Sequence, residues 1–149
     1  MASDLETTLY EISFHTPQDR LYTGQGLWFK PSGCRFLLGC SDYLQQRSGP
    51  VSFIQAKGEG ALINKFGSVA TLEAAKGLLE LSSPVSGVIS KVNRNLAENP
   101  GEINQDPYTH GWIVEFEAFS WQADKAFLMT AQEYVNHLLD ESNRFRRTD

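Results

Sequence analysis

A small, mainly β-structured sandwich or barrel with one terminal helix is what this chain of 149 residues predicts. Three observations predict it. Short apolar stretches repeat at period two; turns rich in Gly, Pro and Asn separate them; and the hydrophobic period becomes helical only after Thr130. A chain of this length buries roughly two thirds of its unfolded surface, so it needs no disulfide or metal to fold.

The elements follow in order. Residues 1–20 show no clear period and read as a loosely attached N-terminal arm, 1–21, ahead of a folded domain, 22–149. Leu27-Trp28-Phe29 begins the strands, and Pro31-Ser32-Gly33 supplies a turn. Cys34 to Cys40 then places Cys34, Phe36, Leu38 and Cys40 on one face, which predicts both cysteines as small buried hydrophobes. Ser41 caps a short helix, Asp42 to Arg47. Strands follow at Val51–Ile54, Phe66–Leu72 and Gly87–Val92, with a turn at Lys57–Gly60. A loop from Asn93 to Gly111 leads to a last strand, Trp112–Glu117, with Trp112 in the core and Asp106 shaping the turn before Pro107. Thr130-Ala131-Gln132-Glu133 is a capping box, and Tyr134, Val135, Leu138 and Leu139 form one helical stripe. Pro50-Val51-Ser52 recurs as Pro84-Val85-Ser86, a hint of two quasi-equivalent halves.

Composition narrows the function. Thirteen basic against 18 acidic residues give a net charge of −5, without a basic run to displace phosphate counterions, so neither nucleic acid nor an anionic membrane is the expected partner. The cluster Arg144, Arg146 and Arg147 suits a helix C-terminus. No signal peptide or membrane span is legible, and a cytoplasmic protein is expected. Two cysteines and three scattered histidines lack the spacing of a metal site.

The stretch Leu72 to Gly87, LEAAKGLLELSSPVSG, concentrates the functional signal. Its composition is helical, yet Gly77 interrupts it and Ser-Ser-Pro stops it within ten residues. Between two strands, Ala74-Ala75-Lys76-Gly77 reads better as an exposed turn whose small neighbours leave the ammonium of Lys76 clear. An enzyme that modifies a lysine needs that geometry.

Several motifs in register carry a resemblance. Glu73-Ala74-Ala75-Lys76-Gly77 with Pro84 eight residues past the lysine, Tyr22-Thr23 with Trp28, Ser41-Asp42-Tyr43, and Ile103-Asn104-Gln105-Asp106-Pro107-Tyr108 with Gly111-Trp112 together resemble the glycine cleavage system H-protein family over Tyr22 to Glu141. The resemblance implies a barrel-sandwich hybrid fold, with a short helix after the first strands and a C-terminal helix. It also implies a non-enzymatic carrier with lipoate in amide linkage on Lys76, attached by a lipoate-protein ligase. The arm would move between partner enzymes, and a monomer suits that traffic. A biotin carrier would have methionines beside the lysine, where Ala75 and Gly77 stand.

The cargo is a separate question. Before the matching Trp the family typically has His-Glu, and the Glu is thought to hold the amino group of the loaded arm. Gly26 and Leu27 stand there, Gln25 replaces a Ser, and Glu80 is a candidate substitute carboxylate. Loss of a charge-assisted hydrogen bond of roughly 1.5–3 kcal/mol would weaken retention of a methylamine. The expectation therefore leans to sulfur intermediates of a heterodisulfide-reductase-like oxidation complex. The alternative is glycine cleavage with its P-, T- and L-proteins, the aminomethyl group passing from P to T. An unmodified interaction module and a Schiff-base enzyme at Lys76 remain other classes; the latter needs a desolvated amine, which Glu73 and Glu80 do not favour. Cys34 and Cys40 are candidates for a redox pair.

Overall fold

Alternation of apolar and polar residues produces strands that bury one face, and the chain resolves this need with two facing antiparallel sheets. The computed structural model describes residues 3–147, and the side chains of the Arg144, Arg146 and Arg147 cluster lie outside what it describes. The strands are β1 (Leu5–Leu9), β2 (Ile12–Thr16), β3 (Leu21–Tyr22), β4 (Leu27–Ser32), β5 (Arg35–Cys40), β6 (Val51–Ala56), β7 (Leu62–Ile63), β8 (Gly67–Ala74), β9 (Gly77–Ser83), β10 (Gly87–Val92) and β11 (Val114–Ala118). The α-helices are α1 (Asp42–Ser48), α2 (Glu102–Gln105), α3 (Trp121–Asp124) and α4 (Ala131–Arg147). One sheet runs β3-β4-β5-β11-β10-β7, the other β6-β8-β9, and β1 pairs with β2. This is the expected mainly β, barrel-sandwich architecture with its short and C-terminal helices.

The main core joins both sheets. Leu27, Phe29, Phe36, Leu38 and Cys40 meet Val69, Leu72, Leu81 and Ile89 in one buried cluster. Because successive side chains of a strand point to opposite faces, Trp28 leaves that cluster and enters a second. There it packs with Leu9, Phe14, Tyr22, Tyr43, Tyr108, Tyr134 and Leu138, joining β1–β2, α1 and α4 to the back of the larger sheet. Ser41 caps α1 by accepting the amide of Leu44, 3.1 Å away. The capping box of α4 forms as expected: the Thr130 amide donates to Glu133 Oε1 at 2.8 Å and the Glu133 amide to Thr130 Oγ1 at 3.2 Å.

Six expectations change. Within the expected arm, residues 5–16 are not loose: β1 and β2 form a hairpin whose Leu9 and Phe14 are buried. Cys34 is exposed, because Gly33-Cys34 forms the tight turn between Ser32 and Arg35 and drops out of the alternation. Cys40 is buried, which pushes its thiol up to about 12. Six extended residues at ~3.3 Å each separate the two sulfurs by roughly 20 Å, so they are no redox pair. Trp112 is half-buried and precedes the last strand, which starts at Val114. Leu139 is exposed, unlike the rest of its stripe. The two Pro-Val-Ser copies also differ, since Val51 opens β6 directly while Pro84 and Val85 lie in the crossing before β10.

That crossing is pinned by a buried carboxylate. Asp124 accepts from the Ser86 amide at 3.0 Å and hydroxyl at 3.1 Å, and Lys65 Nζ lies 3.3 Å away. These bonds, the Ser86 amide foremost, outweigh burial and hold the carboxyl below its usual 3.8. A group whose folded pKa is depressed contributes stability that is present above its unfolded pKa and lost as pH falls through the folded one. Asp124→Asn is therefore expected to destabilise the domain at about pH 7 and to cost progressively less towards about pH 3, read by urea unfolding at both pH values.

Among the described residues no helix is long and apolar enough to cross a membrane, and no group of three or more His, Cys, Asp or Glu side chains could hold a metal ion.

Candidate functional site

Lys76 stands where the sequence placed it, at the tip of a β-hairpin. Ala74 pairs with Gly77 across β8 and β9, so Ala75 and Lys76 are the two turn residues. Gly77 has φ +130°, a conformation that side chains rarely adopt, and a Cβ there would meet nothing within 4 Å. Ala75, Lys76 and Gly77 are all exposed, and the Lys76 ammonium enters none of the ion pairs among the described residues. The side chain is free while its backbone is held.

That holding runs through a chain of hydrogen bonds. The amides of Ala75 and Lys76 donate to the carbonyls of Pro50 and Ser48, at 3.0 and 3.1 Å. The Ser48–Val51 loop is fixed in turn by Asn104, whose Oδ1 accepts the Val51 amide at 2.8 Å. Its Nδ2 donates to Gly49 O at 3.0 Å and Gln45 Oε1 at 2.9 Å. Asn104 lies within the Ile103–Tyr108 motif, but local sequence assigns it no role, since its partners are more than 50 positions away. Asn104→Ala leaves a part-buried amide and two carbonyl oxygens without their partner and should cost about 1 kcal/mol. It should also slow modification of Lys76, followed by mass against time, while Gln105→Ala, an exposed neighbour, changes neither.

The other quoted motif residues lie in the scaffold. The Trp28 indole donates to Cys40 O at 3.0 Å and Pro107 O at 3.1 Å. Tyr108 accepts the Asp42 amide at 2.8 Å and donates to His15 O at 2.9 Å. Arg20 lies 4.7 Å from the Trp28 ring and 5.0 Å from that of Tyr108, and donates to Tyr108 O at 3.0 Å. Asp19 partners it: burial opposes the charge, but the hydrogen bond and charge of Arg20, with Lys30, hold that carboxyl below its usual range.

The departures from the family pattern are also placed. Leu27 is 1% exposed in the main core, where a carboxylate would be buried without a partner. Gly26 has φ +107°, and a Cβ there would come within 2.9 Å of the Tyr134 hydroxyl and 3.0 Å of Leu44 Cβ. Gln25 reaches across to β9, donating to Glu80 O and accepting the Ser82 amide at 3.1 Å, at the rim of a 340 Å³ cleft shared with Phe66 and Phe127. Glu80 stands on the outer face of β9 and is engaged by the hydroxyls of Ser68 and Thr71, which hold its carboxyl below the usual range.

Fold and tip together define a class: a β-sandwich domain that presents a lysine at a pinned bend. The family model "Glycine cleavage H-protein" matches residues 20–141. The glycine cleavage system H protein of Thermus thermophilus is 34% identical over 126 residues, covering 85% of this chain and 98% of the relative. That of Rubrobacter xylanophilus is 31% identical over 125 residues, covering 84% and 96%. The crystal structure of a glycine cleavage system H protein from Mycobacterium marinum superimposes with a TM-score of 0.69 at 26% identity, over 80% of this chain and 96% of that one. The chain belongs to the glycine cleavage H-protein family.

Proposed function

We propose that this protein is a lipoyl carrier, with lipoate in amide linkage on Lys76, and not itself a catalyst. The observation that supports the reading is the pairing of an unencumbered side chain with a fixed backbone at residue 76. A lipoate-protein ligase can reach the amine from solvent, and Gly77 leaves open space beside it. The bound group would supply a strained disulfide that partner thiols open readily. This chain's own residues do the presenting. Asn104 and the Ser48–Val51 loop fix where the stem leaves the domain, and Ala75 and Gly77 keep bulk away from it. Tethering raises the effective concentration of the carried group at each partner's site. A monomer visits several active sites most simply.

For the cargo, the names of the relatives reported above support glycine cleavage, with P-, T- and L-proteins as partners and the aminomethyl group passing from P to T. This replaces sulfur oxidation as the first reading. A second reading, sulfur intermediates of a heterodisulfide-reductase-like complex, draws on Leu27: a buried aliphatic side chain holds no amine, whereas an uncharged sulfur cargo needs no carboxylate. The two separate in one assay. Lipoylated protein is given to glycine decarboxylase P-protein with glycine, beside the H protein of Thermus thermophilus. Turnover within about tenfold supports glycine cleavage, since loss of one charged hydrogen bond accounts for about that factor. A drop of about a thousandfold excludes it.

A further inference from the structure

The β1–β2 hairpin precedes residues 20–141, the span that matches the family model, so family membership assigns it no task. It is docked on α1. The His15 amide donates to Asp42 Oδ2 at 3.0 Å and Gln46 Nε2 to Ser13 O at 2.9 Å, and the Phe14 ring packs 4.9 Å from that of Tyr43. Its tip is Tyr10-Glu11, with φ of +51° and +66°. Two left-handed residues without a glycine are unfavourable, and here the docked strands impose them. The turn leaves Tyr10 46% exposed.

The surface around Lys76 is locally basic and partly apolar, although the chain as a whole carries −5. Tyr10, Ile12, Arg47 and Lys76 line one open depression, and no carboxylate does; of the two tip residues it is Tyr10, not Glu11, that takes part. Arg47 stands exposed at the last turn of α1. Its Nη1 donates to the Tyr43 hydroxyl at 2.9 Å and its guanidinium lies 5.7 Å from the centre of the Tyr43 ring, so the cation is oriented by the domain. It enters none of the ion pairs among the described residues.

We propose that this surface is the docking site of the enzyme that forms the amide on Lys76, with Tyr10 and Ile12 against an apolar part of that enzyme and Arg47 against one of its carboxylates. The inference rests on the lipoyl-carrier reading and adds to it a recognition surface supplied in part by the N-terminal hairpin. Reach decides the occupant. Enzymes that use the carried sulfurs meet the far end of the arm and can stay an arm's length from the domain. The acylating enzyme has to bring its acyl donor to Nζ itself, on a stem of only four carbons, so it covers whatever borders that amine. Tyr and Arg are the side chains that most often anchor such contacts, and an unpaired guanidinium selects an acidic counterpart. Lys57, Lys65, Lys91 and Lys125 are exposed as well. The bend presents the amine of Lys76, and the neighbouring surface holds the enzyme there long enough to react.

The test gives the unmodified protein to a lipoate-protein ligase with lipoate and ATP, and follows intact mass against time over a range of protein concentrations. Tyr10→Gly, Arg47→Gln and Arg47→Glu change exposed side chains, the glycine also suiting its left-handed backbone, and thermal midpoints check that each variant stays folded. Tyr10→Gly and Arg47→Glu are each expected to lower kcat/KM about tenfold through KM, with kcat within about twofold. Arg47→Gln should cost about threefold. Both Arg47 variants lose the bond to Tyr43, so the gap between them reads the charge facing the enzyme rather than a local repacking. Lys125→Glu makes the same charge change beside Phe127, which packs on Phe66 at the opposite end of β8, and should leave the rate unchanged. Lipoyl mass gained at equal kcat/KM by the parent and all variants overturns the docking site while leaving the carrier intact. A fall in kcat at unchanged KM also overturns it. Absence of lipoyl mass on the parent overturns the carrier reading and the docking site with it.

Discussion

Lys76→Arg yields a folded protein that gains no lipoyl mass and transfers nothing between partners. Arginine keeps the positive charge and most of the stem, but its guanidinium does not deprotonate in a protein and offers no acylable amine. The change touches no buried group, because residue 76 is exposed and bonded only through its backbone amide. Stability should therefore stay within about 0.5 kcal/mol of the parent. Intact mass after co-expression with a ligase, beside thermal unfolding, checks both halves. Lys57, Lys65, Lys91 and Lys125 are also exposed, so they serve as internal controls. Lipoyl mass on the variant would show that exposure, rather than the pinned bend, selects the site.

Trp28→Ala should have the largest effect on stability. The side chain is fully buried, its indole bridges the Cys40 and Pro107 carbonyls, and the Arg20 guanidinium lies against its ring. Removing it opens a cavity and leaves a buried cation short of its aromatic neighbour, for a loss of about 3–5 kcal/mol. That is a large part of the ~5–15 kcal/mol of a typical domain. Trp28→Phe keeps a ring but no donor, so a loss of about 1–3 kcal/mol is expected from the two stranded carbonyls. Urea midpoints give both values. An alanine variant within about 1 kcal/mol of the parent would mean that the second core, which fastens the N-terminal hairpin and α4, contributes little.

Much of this was legible because the deciding signals are local. Gly77 after a lone lysine, Ser41 before Asp42, and Thr130 three residues before Glu133 each state a bend or a cap through their own chemistry, and each is found in place. The N-terminal hairpin was missed although the alternation exists in Leu5-Thr7-Leu9 and Ile12-Phe14-Thr16. Its turn, Tyr10-Glu11, contains none of the Gly, Asn or Asp that usually announces one, and is enforced by tertiary contacts. Cys34 was misjudged for the converse reason, since period two was extended one residue into a turn.

Asn104 was beyond local reading altogether. Asn104 acts on Gly49 and Val51 only because the fold brings distant segments together. The sulfur preference had rested on the Gly26-Leu27 departure. The structure gives that departure a packing reason, a core leucine beside a crowded glycine, and so weakens it as evidence about cargo.

Peptide mapping of the parent protein after co-production with a lipoate ligase and lipoate bears most directly on this account. It predicts one lipoyl group per chain, on the fragment containing Lys76. A chain left unmodified, or a group found on any other lysine, contradicts it.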